Sequence, residues 1–232
     1  MRKGSLGGGE YYHIYNRGVE KRRLFLDDND RIRFLTLLLF LQGRETFPQI
    51  GRLASTVKHL MFDKKELNPE AIALVKGARM VEIVCFILME NHFHILLRDI
   101  CDGNDGNIPK FMQRLGNAYA KYFNTRYRRT GHLFENRYNA IHIDSNEYLN
   151  YLSAYIHLNR SENQKWCGKE EKYPWSSFQD VAIHNRFDDL LLPAILVEQF
   201  PHENEYKMFV KDTSIKKLNQ IIPSNIRCLT ER

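Results

Sequence analysis

The sequence predicts an α+β domain in which a central antiparallel sheet is flanked by helices, and three observations carry that prediction. Residues 81–89 (VEIVCFILM) form a nearly continuous apolar run rich in β-branched side chains, as a strand buried on both faces requires. After Glu90-Asn91, which can turn, residues 92–97 (HFHILL) resume as a second strand, so the two runs read as a hairpin in the centre of a sheet. Stretches with apolar residues at helical spacing precede and follow the hairpin. A chain of 232 residues, 43% hydrophobic and 27% charged, suits one soluble domain with an extension.

Taken in order, residues 11–15 (YYHIY) predict a first strand, closed by a turn at Asn16-Arg17-Gly18. From Asp28, taken as the N-cap, Ile32, Leu35, Leu38, Leu39 and Leu41 predict a first helix running up to Gly43. Residues 44–80 are mixed, with a helix expected over 69–76 behind Pro69 and loop around Phe47-Pro48 and Gly51. The hairpin is followed by a Gly/Asn/Asp loop over 99–107, and a long helix should run from Pro109 to about Asn124. An extended piece over 138–143 leads to Asp144-Ser145-Asn146-Glu147, a capping-box-like start for a helix over 147–159. The rest reads as a helical tail with an amphipathic stretch over 205–211.

Composition excludes several classes. Aromatic residues at 12%, spread along the chain, argue against disorder. No run reaches the roughly 18 apolar residues of a membrane helix. MRKGSLGGGE has no apolar stretch behind its basic residues, so the expected location is cytoplasmic and no membrane partner is expected. Cys85, Cys101, Cys167 and Cys228 form no C-x-x-C pair and read as free thiols. A net charge of +6 and a pI near 9.1 suit a polyanionic partner.

Three constellations carry chemistry. His92 and His94 leave the same face of a strand and could hold one cation between them, the plainer reading being two polar residues on a solvated face. Tyr151, Tyr155 and Asn159 are four apart on one helix face, with Tyr148 just before them. Core packing is the ordinary reading of such tyrosines. The alternative is that this face brings Tyr155 as a nucleophile and the Asn159 carboxamide oxygen as a third ligand for Mg²⁺ or Mn²⁺. Residues 108–138 carry Lys110, Arg114, Lys121, Arg126, Arg128, Arg129 and Arg137 against one acid, Glu135, interleaved with seven aromatic residues. Cations track phosphates and ring faces stack on unpaired bases, the composition of a surface for single-stranded or hairpin nucleic acid.

In that order, YYHIYNRGVEKRRLF, CFILMENHFHILLR, FMQRLGNAYAKYFNTRYRRTGHLFENRY and IDSNEYLNYLSAYIHLNR resemble the HUH-class single-strand DNA transposases, specifically the REP-associated tyrosine branch of the IS200-like family. The resemblance covers roughly residues 10–180. It implies a ferredoxin-like or RRM-like catalytic domain over 10–160 and a C-terminal helical extension over 161–232. It further implies metal-dependent cutting and rejoining of single-stranded DNA beside a hairpin formed by inverted repeats, through a 5′-phosphotyrosine, by a monomer or homodimer. Carried over by position, His92, His94 and Asn159 hold Mg²⁺ or Mn²⁺ and Tyr155 is the nucleophile. Arg114, Lys121, Arg126, Arg128, Arg129 and Arg137 are the expected DNA contacts. Glu90 stands where many relatives have Pro, and Asn159-Arg160-Ser161-Glu162 where many have Asn-Pro-Val-Arg. Two rival readings are an RRM-like binding module without catalysis and a His-x-His metallohydrolase that adds Glu82 or Glu90 as ligands.

Overall fold

In the computed structural model, which describes residues 9–45, 47, 50–63, 69–100, 106–159, 166, 168–202 and 204–222, β1 spans Tyr11–Arg17 and lies inside the sheet. It pairs antiparallel with β3 (His92–Asp99) on one side and β4 (Asn139–Ile143) on the other. The strand runs two residues past Tyr15, into the turn expected at Asn16-Arg17-Gly18, because its partner continues to His92 opposite Arg17. The chain breaks at Gly18 instead, where a Cβ would stand 2.2 Å from the Arg22 carbonyl oxygen.

Helix α1 (Asp28–Phe40) is capped by Asp27, not Asp28: the Asp27 carboxylate accepts from Asp30 N from an extended backbone. It ends before Gly43 and is buried on most of its circumference, with two further helices packed against it. One of these, α2 (Leu53–Phe62), has no counterpart in the sequence reading; it anchors through Val57, Leu60 and Met61. Helix α3 (Pro69–Gly77) forms where Pro69 predicted it. Strand β2 (Val81–Leu88) pairs antiparallel with β3 through the expected turn.

The sheet order is β2-β3-β1-β4, so the hairpin is not central: β3 is interior but β2 is an edge. Its apolar character has another cause. Leu192 N and Ser177 N donate to the Ile83 and Phe86 carbonyls, and Leu88 N donates to Trp175 O, so the chain after residue 166 covers the open edge. That segment contributes the short helices α6 (Phe178–Ala182), α7 (Ala194–Val197), α8 (Glu205–Asp212) and α9 (Ile215–Ile221).

The long helix α4 (Ile108–Arg126) and α1 cover one face of the sheet, with Phe34 packed on Phe93 and Tyr119. Helix α5 (Asn146–His157) lies on the other face, its first turn capped by Ser145 Oγ accepting from Tyr148 N. Leu158 is its C-cap, so Asn159 stands just beyond the helix rather than within it. The core is thus β1-α1-β2-β3-α4-β4 with α2 and α3 inserted, the split βαβ order of ferredoxin-like domains. Most of the Gly/Asn/Asp loop, Arg160-Ser161-Glu162, and Cys101, Cys167 and Cys228 lie outside the described residues; Cys85 is a buried free thiol.

Candidate active site

The register decides which side chains meet. Tyr15 stands opposite His94 and Arg17 opposite His92, so strand alternation gathers His13, Tyr15, Arg17, His92 and His94 on the α5 side of the sheet. Both histidines of the pair are 0% exposed, which removes the reading of a solvated polar face. Their rings stand edge to face with centroids 5.2 Å apart.

Each imidazole is held from its Nδ1 side. His92 Nδ1 lies 2.7 Å from Asn91 Oδ1, and His94 Nδ1 lies 2.9 Å from His13 Nε2. His94 Nε2 is buried with no hydrogen-bond partner among the described residues. Burial pushes the pKa of His13 and His92 down to about 3, helped at His92 by the charge of Arg17. Burial also takes His94 well below the usual imidazole range, with His13 and His92 adding to the effect. All three are therefore neutral at pH 7, the form in which a histidine offers a lone pair to a metal.

Helix α5 delivers Tyr155 to this cluster: its ring meets that of His94 edge to face, centroids 5.6 Å apart. Tyr155 and Asn159 are 8% and 9% exposed. The other tyrosines of the sequence reading are otherwise engaged. Tyr151 packs on Phe209 beneath the Lys217 ammonium, and the Tyr119 hydroxyl donates to Leu24 O. Tyr122 and Tyr127, two of the seven aromatic residues interleaved with the basic run, are half-buried and donate to the two oxygens of buried Asp30. Burial, with Asp144 and Tyr15 nearby, raises Tyr148 to about 12. The sequence reading missed Tyr15, whose ring stacks on His94 at 5.8 Å, and His13. The signal was the alternation within YYHIYNR, which becomes legible only once β1 is known to pair with β3.

The six cations expected to contact DNA divide into two groups. Arg114 donates to the carbonyls of Gly43 and Glu45, and Arg126 pairs with Asp27 and Asp30. Arg129 donates to Asn124 Oδ1 with its guanidinium over Phe123, and Lys121, Arg128 and Arg137 are exposed with no ion pair among the described residues. Between α4 and the loop over 131–138 lies a groove of about 820 Å³, lined in part by Lys110, Gln113, His132, Arg137 and Tyr138. Glu135 of that loop pairs with Arg17, which stands opposite His92.

Among the described residues, no group of three or more His, Cys, Asp or Glu could hold a metal ion. A cation at His92 and His94 would need oxygen ligands from Asn159, the substrate or water. Two neutral imidazoles with a buried, unpartnered Nε2 on His94 fit such an ion. No described helix is long and apolar enough to cross a membrane.

The family model described as Transposase IS200 like matches residues 58–159, the stretch that carries His92, His94, Tyr155 and Asn159. The chain is also similar to a solved structure of the REP-associated tyrosine transposase bound to a REP hairpin, with 14% identity, a TM-score of 0.45, and coverage of 78% of this chain and 83% of that one. No curated protein matches it.

Proposed function

We propose that this chain, whose residues 58–159 carry the IS200-like transposase pattern, cuts and rejoins single-stranded DNA beside a hairpin, with Tyr155 as nucleophile. The observation that carries the reading is the contact of Tyr155 with His94 on a buried sheet face that also holds His92. His92, His94 and Asn159 would hold the Mg²⁺ or Mn²⁺ ion, which supplies Lewis-acid relief of charge on the scissile phosphate and on the departing oxygen. The Tyr155 phenol, with a reference pKa of about 10, gives up its proton as its oxygen attacks phosphorus. The new phosphorus–oxygen bond forms as the bond to the 3′ oxygen breaks, and that oxygen leaves as a 3′-hydroxyl after taking a proton. The 5′ phosphate stays on Tyr155 as an ester, so an incoming 3′-hydroxyl reverses the step without ATP.

Lys121, Arg128, Arg129 and Arg137 are assigned to the DNA phosphates. Arg114, held by backbone carbonyls, and Arg126, neutralised by Asp27 and Asp30, are assigned to shaping that surface and meeting the backbone at its edge. The partner is hairpin-forming single-stranded DNA, bound by a monomer or homodimer in the cytoplasm.

The test is incubation of labelled hairpin DNA with the protein and Mn²⁺, followed by denaturing electrophoresis and peptide mapping. An adduct on Tyr155 that is lost in Tyr155→Phe and in His94→Ala is expected. An adduct that maps to Tyr15, the other tyrosine on His94, would overturn the assignment. Cleavage that persists in Tyr155→Phe without any adduct would favour attack by water.

A further inference from the structure

His13 has no part in the chemistry proposed above, yet it is fully buried and sits against the centre of it. Its ring stacks on that of His94, with centroids 5.1 Å apart and planes within 17° of parallel, and its Nε2 lies 2.9 Å from His94 Nδ1. Two nitrogens at that distance share one hydrogen, so the pair fixes which nitrogen of each ring is protonated.

For His92 the hydrogen is placed by a neighbour. Asn91 Nδ2 donates to Lys21 O at 3.3 Å, which orients the amide so that its oxygen faces His92. An oxygen only accepts, so His92 Nδ1 carries the hydrogen and the lone pair is on Nε2. His94 faces a ring nitrogen instead, and two hydrogen placements satisfy the contact. In one, His13 Nε2–H donates and the His94 hydrogen falls on its buried Nε2, which finds no acceptor among the described residues. In the other, His94 Nδ1–H donates to His13 Nε2, the His13 hydrogen falls on its own buried Nδ1, equally without an acceptor there, and His94 presents its lone pair at Nε2 just as His92 does. Only the second lets both histidines bind one cation through equivalent atoms.

We infer that His13 is a positioning residue: it accepts the Nδ1 hydrogen of His94 and thereby holds His94 as the tautomer whose Nε2 is a metal ligand. The inference rests on the proposed metal site. Outer partners of this kind orient a ligating imidazole and raise its basicity, and their loss typically weakens metal binding about 10- to 100-fold.

Two measurements separate failure of this inference from failure of the metal site. The first needs no variant and no metal: histidine-selective ¹⁵N correlation spectra of the intact protein report which nitrogen of His94 is protonated. Protonation at Nδ1 is expected, and protonation at Nε2 would overturn the inference whatever the protein binds. The second is Mn²⁺ titration followed by electron paramagnetic resonance on the parent, His13→Leu and His13→Gln. Leu offers no acceptor and should weaken Mn²⁺ binding about 10- to 100-fold, whereas the Gln carbonyl oxygen should restore it to within a few-fold. Leu binding as tightly as the parent, or Gln as weakly as Leu with its thermal transition intact, would reduce His13 to packing. If the parent and His94→Ala bind Mn²⁺ alike, the metal site itself fails, and the tautomer spectrum still decides the role of His13.

Discussion

At the scale of single residues, Asp30 shows how a site of apparent DNA contact becomes a structural knot. Its buried carboxylate accepts from Tyr122 OH, Tyr127 OH, Arg126 and Leu26 N at once. Removing it leaves two half-buried phenols without their acceptor and Arg126 with Asp27 alone, so Asp30→Ala should lower the free energy of unfolding by about 1–3 kcal/mol, read from urea midpoints at constant m value. A loss under about 1 kcal/mol would mean that these groups are satisfied by water. The residues 108–138 gave no hint of this, because Asp30 is distant in sequence. By contrast, the period of a strand alone placed His92 and His94 on one face, whereas the period of a helix carried the reading only as far as Tyr155, since Asn159 stands beyond the helix end. His13 and Tyr15 needed the pairing of two strands far apart in sequence, which no local pattern encodes.

At the scale of elements, the helix that carries Tyr155 is fixed by a polar contact from the chain's C-terminal segment. Tyr206 OH of α8 lies 2.8 Å from His157 Nδ1 and donates to Ser153 Oγ, while His157 Nε2 lies 3.1 Å from Ser177 Oγ. The same Ser177 hydroxyl accepts from Phe86 N on the edge of β2, so one hydroxyl links the sheet edge and the helix that carries Tyr155. Ser177→Ala leaves a buried backbone N–H of Phe86 without its acceptor, at a cost of about 1–3 kcal/mol. The expected result is a matching loss in urea stability and faster hydrogen exchange at Phe86; unchanged exchange there would show that the edge is held by backbone bonds alone. This linkage also explains what was hard to read. The run VEIVCFILM looked like a central strand because its edge is covered from elsewhere in the chain, and α2 was missed although Leu53, Val57, Leu60 and Met61 stand at helical spacing, because it follows directly on the loop signals Phe47-Pro48 and Gly51 and carries no N-cap residue.

At the scale of the whole molecule, burying neutral histidines makes stability depend on pH with a definite sign. Desolvation lowers the folded pKa of His157 to about 3, as it does for His13 and His92, against about 6.5 when unfolded. Between those limits the unfolded chain binds protons that the folded chain refuses, so stability rises with pH there. The contribution is complete above pH 6.5 and is lost as pH falls toward 3. Asp27, Glu135 and Glu171, held below their usual range mainly by bonds to Arg126, Arg17 and Lys207 against a desolvation cost, act with the same sign but only at lower pH. Burial raises Asp180 despite Arg186, a contribution of opposite sign that a change at His157 leaves in place. The window from pH 6.5 down to 5 is where the histidine contribution is read. In metal-free buffer the urea midpoint should fall steadily across it, each buried histidine adding up to about 1.4 kcal/mol per pH unit. His157 faces the hydroxyls of Ser177 and Tyr206 and the rings of Phe178 and Tyr206. Gln in its place keeps hydrogen-bonding groups there but does not titrate, so His157→Gln should flatten the slope by about one proton. A midpoint that does not move between pH 6.5 and 5, or a His157→Gln profile parallel to the parent, would show that these imidazoles take up protons in the folded state and are less buried than their packing against α5 implies.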